Sequence, residues 1–335
     1  SGVQILNNSG QPGGAATVKI RGNSAITGSG QPLYVVDGVP LDNRSARPGL
    51  NANGLGNTPG GNPLNFLNPA DIASIDVLKD ASATAIYGSR AAYGVVIINT
   101  KRGQSGQAKV DVGLNTGVST IFRKIDVLNA DQYREAIKYY GVSPLNDRGG
   151  NVDAFDAILR KGMQQNYTIA VSGGNESGKY RISAGYLNQE GIINKTGFKK
   201  YTANFSGNLK FLESKKLGLD MNVNSSQYIE DIAAITNDAG SNGSLIGHAL
   251  QWNPTDSLRK ANGSLNIKAG AVINPLAMSE LYNDQSKVTT ILASISPYFK
   301  FTDWLEYRML YSINYSAGGR RASIHQDINI NATQG

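Results

Sequence analysis

The chain has 335 residues, of which 40% are hydrophobic and 17% charged, with 39 glycines, no cysteine and a formal net charge of +7. The low charge excludes a coiled coil, and the lack of apolar runs of about 20 residues excludes a helical membrane protein. The absence of cysteine excludes disulfides, thiol nucleophiles and cysteine-ligated metal sites. The positive charge is spread along the chain without a long basic run, which argues against a nucleic-acid partner.

The residues up to Gly103 mix strand and helix signals and predict a small α+β domain. Short strands are expected at 17–21, 33–36, 75–78 and 94–100. Short helices are expected after the cap Asn68-Pro69 and over 82–88. Residues 41–63 are too rich in Asn, Gly and Pro to form a core and predict a long polar loop.

Beyond Gly103 the hydrophobic pattern has a period of two, which is typical of β-strands. Seven segments carry apolar or aromatic residues on one face and amide, hydroxyl or charged residues on the other. The apolar faces cover 110–118, 167–171, 180–186, 201–211, 217–223, 293–301 and 305–315. Several segments reach about ten residues, which is the length of a tilted strand that crosses a bilayer. Strands of soluble proteins are usually nearer five or six residues long. Leu187, Leu292 and Leu310 are exceptions to the alternation.

The links between the seven segments alternate in length. Those after the second, fourth and sixth segments are short, and two of the others are very long, near 120–164 and 228–286. Outer-membrane barrels join their strands by short periplasmic turns and long external loops. Aromatic residues near segment ends, such as Tyr201 and Phe211, are typical of girdles at the membrane interfaces. We therefore expect membrane-spanning strands with extracellular loops near 120–164 and 228–286.

Four stretches before Gly103 resemble the plug domain of the SusC/RagA family of TonB-dependent transporters. They are 18–24 (VKIRGNS), 32–40 (PLYVVDGVP), 71–90 (DIASIDVLKDASATAIYGSR) and 94–103 (GVVIINTKRG). Residues 166–175 resemble an early barrel strand of that family and its turn. The order and length of these matches make the resemblance specific.

The resemblance predicts an α+β plug domain over 1–103 and antiparallel transmembrane β-barrel strands over 104–335. Seven strands are too few to close a barrel, and an open edge in lipid leaves backbone groups unpaired, so further strands are expected after Gly335. A lumen that holds a whole domain is wide, as in 22-stranded transporters. We therefore expect a partial barrel of about seven strands of 22.

The resemblance also implies active import across the outer membrane of a Bacteroidetes-type bacterium, with the receptor as a multi-pass protein in outer-membrane lipid. Its cargo would be an oligosaccharide or a peptide. A SusD-like surface lipoprotein would cover the barrel, and TonB would supply energy through a segment upstream of Ser1. No cofactor, metal or nucleic acid is expected. The sequence contains no H-E-x-x-H motif, G-x-S-x-G elbow or P-loop, so no motif suggests an enzyme.

Candidate cargo-binding residues lie in the polar loop 41–63, because amide and guanidinium groups hydrogen-bond sugar hydroxyls and peptide carbonyls. They are Arg44, Arg47, Asn51, Asn53, Asn57 and Asn62. Trp252, in the second long link, is a candidate for stacking on a sugar ring or a partner surface. In the first long link, a capping box from Asn129 to Gln132 predicts a helix that contacts the barrel mouth or the lipoprotein.

Two other functions remain open from the sequence. One is a TonB-dependent receptor for a siderophore or another small ligand, working without a lipoprotein lid. The other is a soluble β-rich binding module. Co-purification of a lipoprotein would distinguish the importer from the small-ligand receptor. A chain that stays monodisperse without detergent would favour the soluble module.

Overall fold

The computed structural model describes residues 3–7, 10–20, 30–42, 46–50, 61–79, 85–212, 214–235, 244–267 and 272–328. Within these residues the chain forms fourteen β-strands in three sheets, four α-helices and three short 3-10 helices. No helix of this described part is long and apolar enough to span a bilayer.

The N-terminal part contains two small sheets. Strands β1 (Val3–Asn7) and β2 (Ala16–Ile20) form an antiparallel pair. A four-stranded sheet has the order β4-β3-β6-β5, in which only β3 and β6 are parallel. Its strands are β3 (Leu33–Val36), β4 (Val39–Pro40), β5 (Ile72–Leu78) and β6 (Val95–Thr100). The apolar runs of β3 and β6 are buried at the centre of this sheet, as unbroken apolar strands are expected to be.

The two helices expected in this part are short 3-10 turns. Asn68 caps Pro69–Asp71, and its side-chain oxygen accepts a hydrogen bond from the backbone nitrogen of Ala70 at 3.1 Å. Ala85–Ala91 is interrupted at Gly88, where φ is 64°. The start of the predicted helix, residues 82–84, lies outside the described residues.

The remainder forms one large antiparallel sheet in which each strand from β7 to β12 pairs with the next along the chain. Its strands are β7 (Gly106–Ser119), β8 (Gly162–Gly174), β9 (Gly178–Glu190), β10 (Gly197–Phe211), β11 (Leu217–Asp231), β12 (Tyr282–Lys300), β13 (Glu306–Arg308) and β14 (Tyr311–Ile324). Strands β13 and β14 both pair with β12 in one register. The gap between them lies opposite Pro297, which has no N–H to donate. The predicted plug domain followed by antiparallel strands of a partial barrel is therefore confirmed.

The inner strands of the large sheet, which we call the wall, bury their polar face and expose their apolar face. On β11 the inward residues Asn222, Asn224, Ser226 and Glu230 are at most 7% exposed. On the outward face, Ile182 of β9 is 53% exposed and Ile295 of β12 is 46% exposed, whereas the first and last strands, β7 and β14, are exposed on both faces. A half-buried sheet in a soluble protein has the opposite arrangement. The wall therefore suits an apolar solvent outside and a polar interior.

The three leucines that break the alternation lie on the inward face of the wall. Leu292 is 2% exposed and belongs to the core of that sheet, with Tyr34, Phe66 and Ile98. Leu187 packs against a cluster formed by Phe198, Tyr228 and Val288. A Cβ placed on Gly38 would lie 3.8 Å from Cδ2 of Leu310. The wall thus carries apolar side chains on its polar face where the plug packs against it.

Aromatic rings form rows across the outward face. Tyr167, Tyr186 and Tyr201 are neighbours on β8, β9 and β10, with ring centroids 6.2 Å and 5.1 Å apart. Phe211 lies at the other end of β10, in register with Leu217 of β11, which in turn pairs with Phe299. Ten residues of tilted strand rise about 25 Å, the height of the apolar band in outer-membrane barrels. The two aromatic ends of β10 are therefore separated by the thickness of such a band.

Both very long links leave the same end of the wall and pack together. The first, 120–161, contains α1 (Ala130–Tyr139) and α2 (Ala154–Ala157). The second, 232–281, contains α3 (Leu245–Gln251) and α4 (Pro275–Leu281). Backbone hydrogen bonds join them, from Gly150 N to Thr255 O at 2.6 Å and from Val152 N to Pro254 O at 2.9 Å. We call this end the long-link end and the opposite end the short-turn end.

Candidate functional site

A cavity of about 400 Å³ separates the loop after β4 from the wall, in the half nearer the long links. We call it the plug–wall cavity. Its plug side is formed by Leu41, Asp42, Ala46, Asn62, Pro63 and Phe66, and its wall side by Tyr228, Val288, Thr290, Asn314 and Ser316. Apolar surface is mixed with a few hydroxyl, amide and carboxylate groups, which is the composition expected of a small-molecule site.

Of the predicted cargo-binding residues, Asn62 lines this cavity. Its side-chain oxygen accepts a hydrogen bond from the backbone nitrogen of Leu64 at 2.9 Å, which fixes the turn at the cavity edge. Arg44, Asn51, Asn53 and Asn57 lie outside the described residues.

Arg47 lies beside the cavity and is 7% exposed. Its Nη1 is 2.8 Å from Oε1 of Glu230 on β11, and both side chains are buried. Gln11 donates a second hydrogen bond to the same oxygen at 3.1 Å. Arg320 of β14 donates to the carbonyl oxygen of Pro48 at 3.2 Å. These contacts fasten the segment 46–50 to the wall and position the loop that borders the cavity.

Further polar contacts join the plug to the wall around Asp71. Its carboxylate accepts hydrogen bonds from Arg181 at 3.1 Å, Ser183 at 2.8 Å and Asn204 at 2.7 Å. Lys200 donates to the carbonyl oxygen of Leu67 at 2.6 Å. The sequence does not single out these residues as a site. Their one signal is that the wall residues fall on the polar face of β9 and β10.

A second cavity, of about 700 Å³, lies between the two long links and contains Trp252. We call it the outer groove. Trp252 is half-buried, and its Nε1 donates to the carbonyl oxygen of Asp256 at 2.7 Å. The groove combines the aromatic rings of Trp252, Tyr133 and Phe155 with side-chain amides and carboxylates. These polar residues are Asn129, Gln132, Asn151, Gln251, Asn253, Asp126 and Asp153. The structure does not bring Trp252 together with Asn62, which lines the other cavity.

The link beside the outer groove is held by its own polar contacts. Helix α1 begins with the predicted capping box, in which Asn129 and Gln132 exchange hydrogen bonds of 3.0 Å. The backbone N–H of Gly149 and the guanidinium of Arg134 both bind the Asp147 carboxylate and lower its pKa. Arg134 also donates to the carbonyl oxygen of Gly150 at 2.7 Å. These hydrogen bonds therefore hold the first long link in place beside the outer groove.

Comparison with known proteins identifies both parts of the chain. The TonB-dependent Receptor Plug Domain family model matches residues 1–95. The chain is 32% identical over 93% of its length to the TonB-dependent receptor SusC of Bacteroides thetaiotaomicron and covers 32% of that protein. Three TonB-dependent receptors of Formosa agariphila are 30% to 34% identical over 88% to 94% of the chain. The chain spans about a third of the length of these curated relatives.

A solved structure has the same fold. The RagAB peptide importer in its closed-closed state superposes with a TM-score of 0.79 at 20% identity, over 99% of this chain and 40% of that chain. The family model, the relatives and the shared fold agree with the plug motifs and with the inverted polarity of the wall. The chain therefore has the plug domain and the antiparallel partial-barrel strands of a SusC/RagA-type TonB-dependent receptor.

Proposed function

We propose that the receptor built from this chain imports a nutrient, an oligosaccharide or a peptide, across the bacterial outer membrane. The observation that carries the proposal is the inverted polarity of the inner wall strands, which expose Ile182 and Ile295 and bury Asn222 and Glu230 against a plug. TonB acts on a segment outside this chain, and a SusD-like lipoprotein covers the long-link end. The fold shared with the RagAB peptide importer supports a peptide as cargo, and the SusC/RagA resemblance of the plug motifs implies the oligosaccharide alternative.

In this proposal the plug spans 1–103, the barrel strands span 104–335, and the long links face the cell exterior. Cargo then meets the outer groove first and the plug–wall cavity second. Asn62 and the residues Arg44, Asn51, Asn53 and Asn57 contact cargo, while Arg47 anchors the segment 46–50 to Glu230 of the wall.

The test is uptake by cells that carry the whole receptor with or without TonB, using labelled oligosaccharides and labelled peptides. We expect uptake of one class that requires both the receptor and TonB. Asn62→Asp keeps the oxygen that accepts from Leu64 but removes the amide donor, so we expect uptake to fall several-fold with the receptor level unchanged. Uptake that is independent of TonB, or equal with and without the receptor, would contradict the proposal.

The outer groove is tested with the two tryptophans of the chain. Trp252 lies in the groove, whereas Trp304 is 83% exposed in the link 301–305 at the short-turn end. We expect Trp252→Ala to weaken either oligosaccharide binding or co-purification of the lipoprotein, and Trp304→Ala to change neither. Equal behaviour of the two variants would remove the groove from the proposal.

A further inference from the structure

A third cavity, of about 330 Å³, lies between the last residues of the plug and the wall at the short-turn end. We call it the basic cavity. Its charged lining consists of Arg102 from the plug, Lys179 from β9 and Lys210 from β10. Ser206, Asn208 and Asn222 supply hydroxyl and amide groups, and no carboxylate lines it.

The three cations have no ion-pair partner in the described part of the chain, because nearby carboxylates bind other groups. Asp220 binds Arg308 and the amide of Asn208, and Asp71 binds Arg181. Glu176 in the β8–β9 turn binds Lys215. The hydrogen bond from Lys215 lowers the pKa of Glu176, with a smaller contribution from the charge of Lys210. Three cationic side chains therefore line one cavity, and none of them forms an ion pair within the described residues.

Two neutral side chains that line the cavity are mostly buried. Ser206 and Asn222 are each 7% exposed, and neither side chain makes a hydrogen bond within the described residues. Polar side chains in such positions are normally hydrogen-bonded, so these two are available to a molecule that enters the cavity. A hydroxyl and an amide N–H are both donors to an oxyanion.

The position of Arg102 is fixed by its neighbour. A Cβ on Gly103 would lie 2.4 Å from the carbonyl oxygen of Tyr180, so the segment lies directly on β9, one residue from Lys179. A larger residue at this position would push the segment and its arginine away from the wall.

We infer that the basic cavity binds a small oxyanion, a phosphate or carboxylate group, at the seam between the end of the plug and the wall. Arg102, Lys179 and Lys210 neutralise its charge, and Ser206 and Asn222 donate hydrogen bonds. Charge-assisted hydrogen bonds of this kind are the strong ones in proteins. The site lies in the opposite half of the wall from the plug–wall cavity and does not depend on the cargo proposed above.

The test is titration of the purified whole receptor with inorganic phosphate, followed by calorimetry. The double variant Lys179→Gln, Lys210→Gln removes two cations, and Lys109→Gln, Lys199→Gln removes two exposed lysines elsewhere on the wall. We expect phosphate to bind at least about tenfold more weakly to the first variant and unchanged to the second, because a hydrogen bond to a charged group is worth more than a neutral one. Added sodium chloride weakens binding to the unmodified receptor.

A second arm identifies the source of the oxyanion. The receptor is placed in nanodiscs of phosphatidylcholine with or without phosphatidylglycerol, and bound lipids are counted by native mass spectrometry. Loss of one phosphatidylglycerol in the double variant assigns a lipid headgroup, whereas a change in phosphate binding alone assigns a soluble oxyanion, and both support the site. The variant Lys179→Arg, Lys210→Arg should retain binding. Absence of phosphate and lipid binding, or equal binding by both glutamine variants, would overturn the inference.

Discussion

The carboxylate of Asp71 is the most connected polar group between the plug and the wall, so its removal is the sharpest perturbation of plug docking. Asp71→Ala deletes three hydrogen bonds and leaves Arg181 buried. Loss of one partner of a buried ion pair costs about 3–5 kcal/mol. Asp111 lies 3.6 Å from the other nitrogen of Arg181 and offsets part of the loss. We therefore expect the lower end, about 3 kcal/mol, or roughly a hundredfold in the docking equilibrium.

The assay is native-state hydrogen exchange of the whole receptor in detergent, read at the amides of β3 and β6. These strands form the centre of the plug, so their protection reports opening of the plug from the wall. We expect protection there to fall about a hundredfold in Asp71→Ala. Asp131→Ala is the control, because Asp131 pairs with Arg134 at the surface and such pairs contribute about 0–1 kcal/mol.

A change in the protection of β3 and β6 by less than about threefold, a free energy below about 0.7 kcal/mol, would contradict a docking role for Asp71. Equal behaviour of the two variants would contradict it as well, since the expected difference depends on the burial of Asp71.

Three further outcomes are expected. Leu292→Ala should lower the free energy of plug docking, measured by hydrogen exchange, by about 2–5 kcal/mol. The side chain of Ile291 points outward, so Ile291→Ala should leave the protection of the plug nearly unchanged. Similar losses in the two variants would place both side chains on one face. Gly103→Ala should lower the yield of folded receptor in the outer membrane, because its Cβ would meet backbone at 2.4 Å, while Gly117→Ala, with no described heavy atom within 4 Å of its Cβ, should not. The lowered pKa of Asp147 stabilises the first long link above the carboxyl's ordinary pKa near 3.8, and this contribution is lost as pH falls below it. The protection factors of the link amides, which are corrected for the pH dependence of intrinsic exchange, should therefore fall in acid, and Asp147→Asn should remove that fall.

The sequence predicts the wall well because its signal is a simple period. Side chains of a strand alternate between faces, so Leu219 and Asn222 are assigned to opposite faces from spacing alone. The lengths of the links also follow directly from where the alternation stops and resumes. The plug sheet is predicted through its apolar runs and through the resemblance of its motifs.

Contacts between the plug and the wall are harder to predict from the sequence. Leu187, Leu292 and Leu310 look like errors in the alternation until the plug is seen to pack on them, because periodicity contains no information about what covers a face. The partners Arg47 and Glu230 are separated by 183 positions, and no local pattern links them. Short helices were harder still, since a three-residue turn such as Pro69–Asp71 has too few residues to show a helical period.

The central claim is that the outward face of the wall meets hydrocarbon and the inward face meets the plug. The chain has no cysteine, so a single cysteine introduced at any position from 217 to 224 of β11 is the one site in this chain that takes a nitroxide label. The scan is made in the whole receptor, one position per variant. Collisions with oxygen, which is concentrated in lipid, should peak at Leu217, Leu219, Met221 and Val223 and drop at the positions between them. A peak at the even positions, or water-soluble nickel reaching the odd ones freely, would contradict the account.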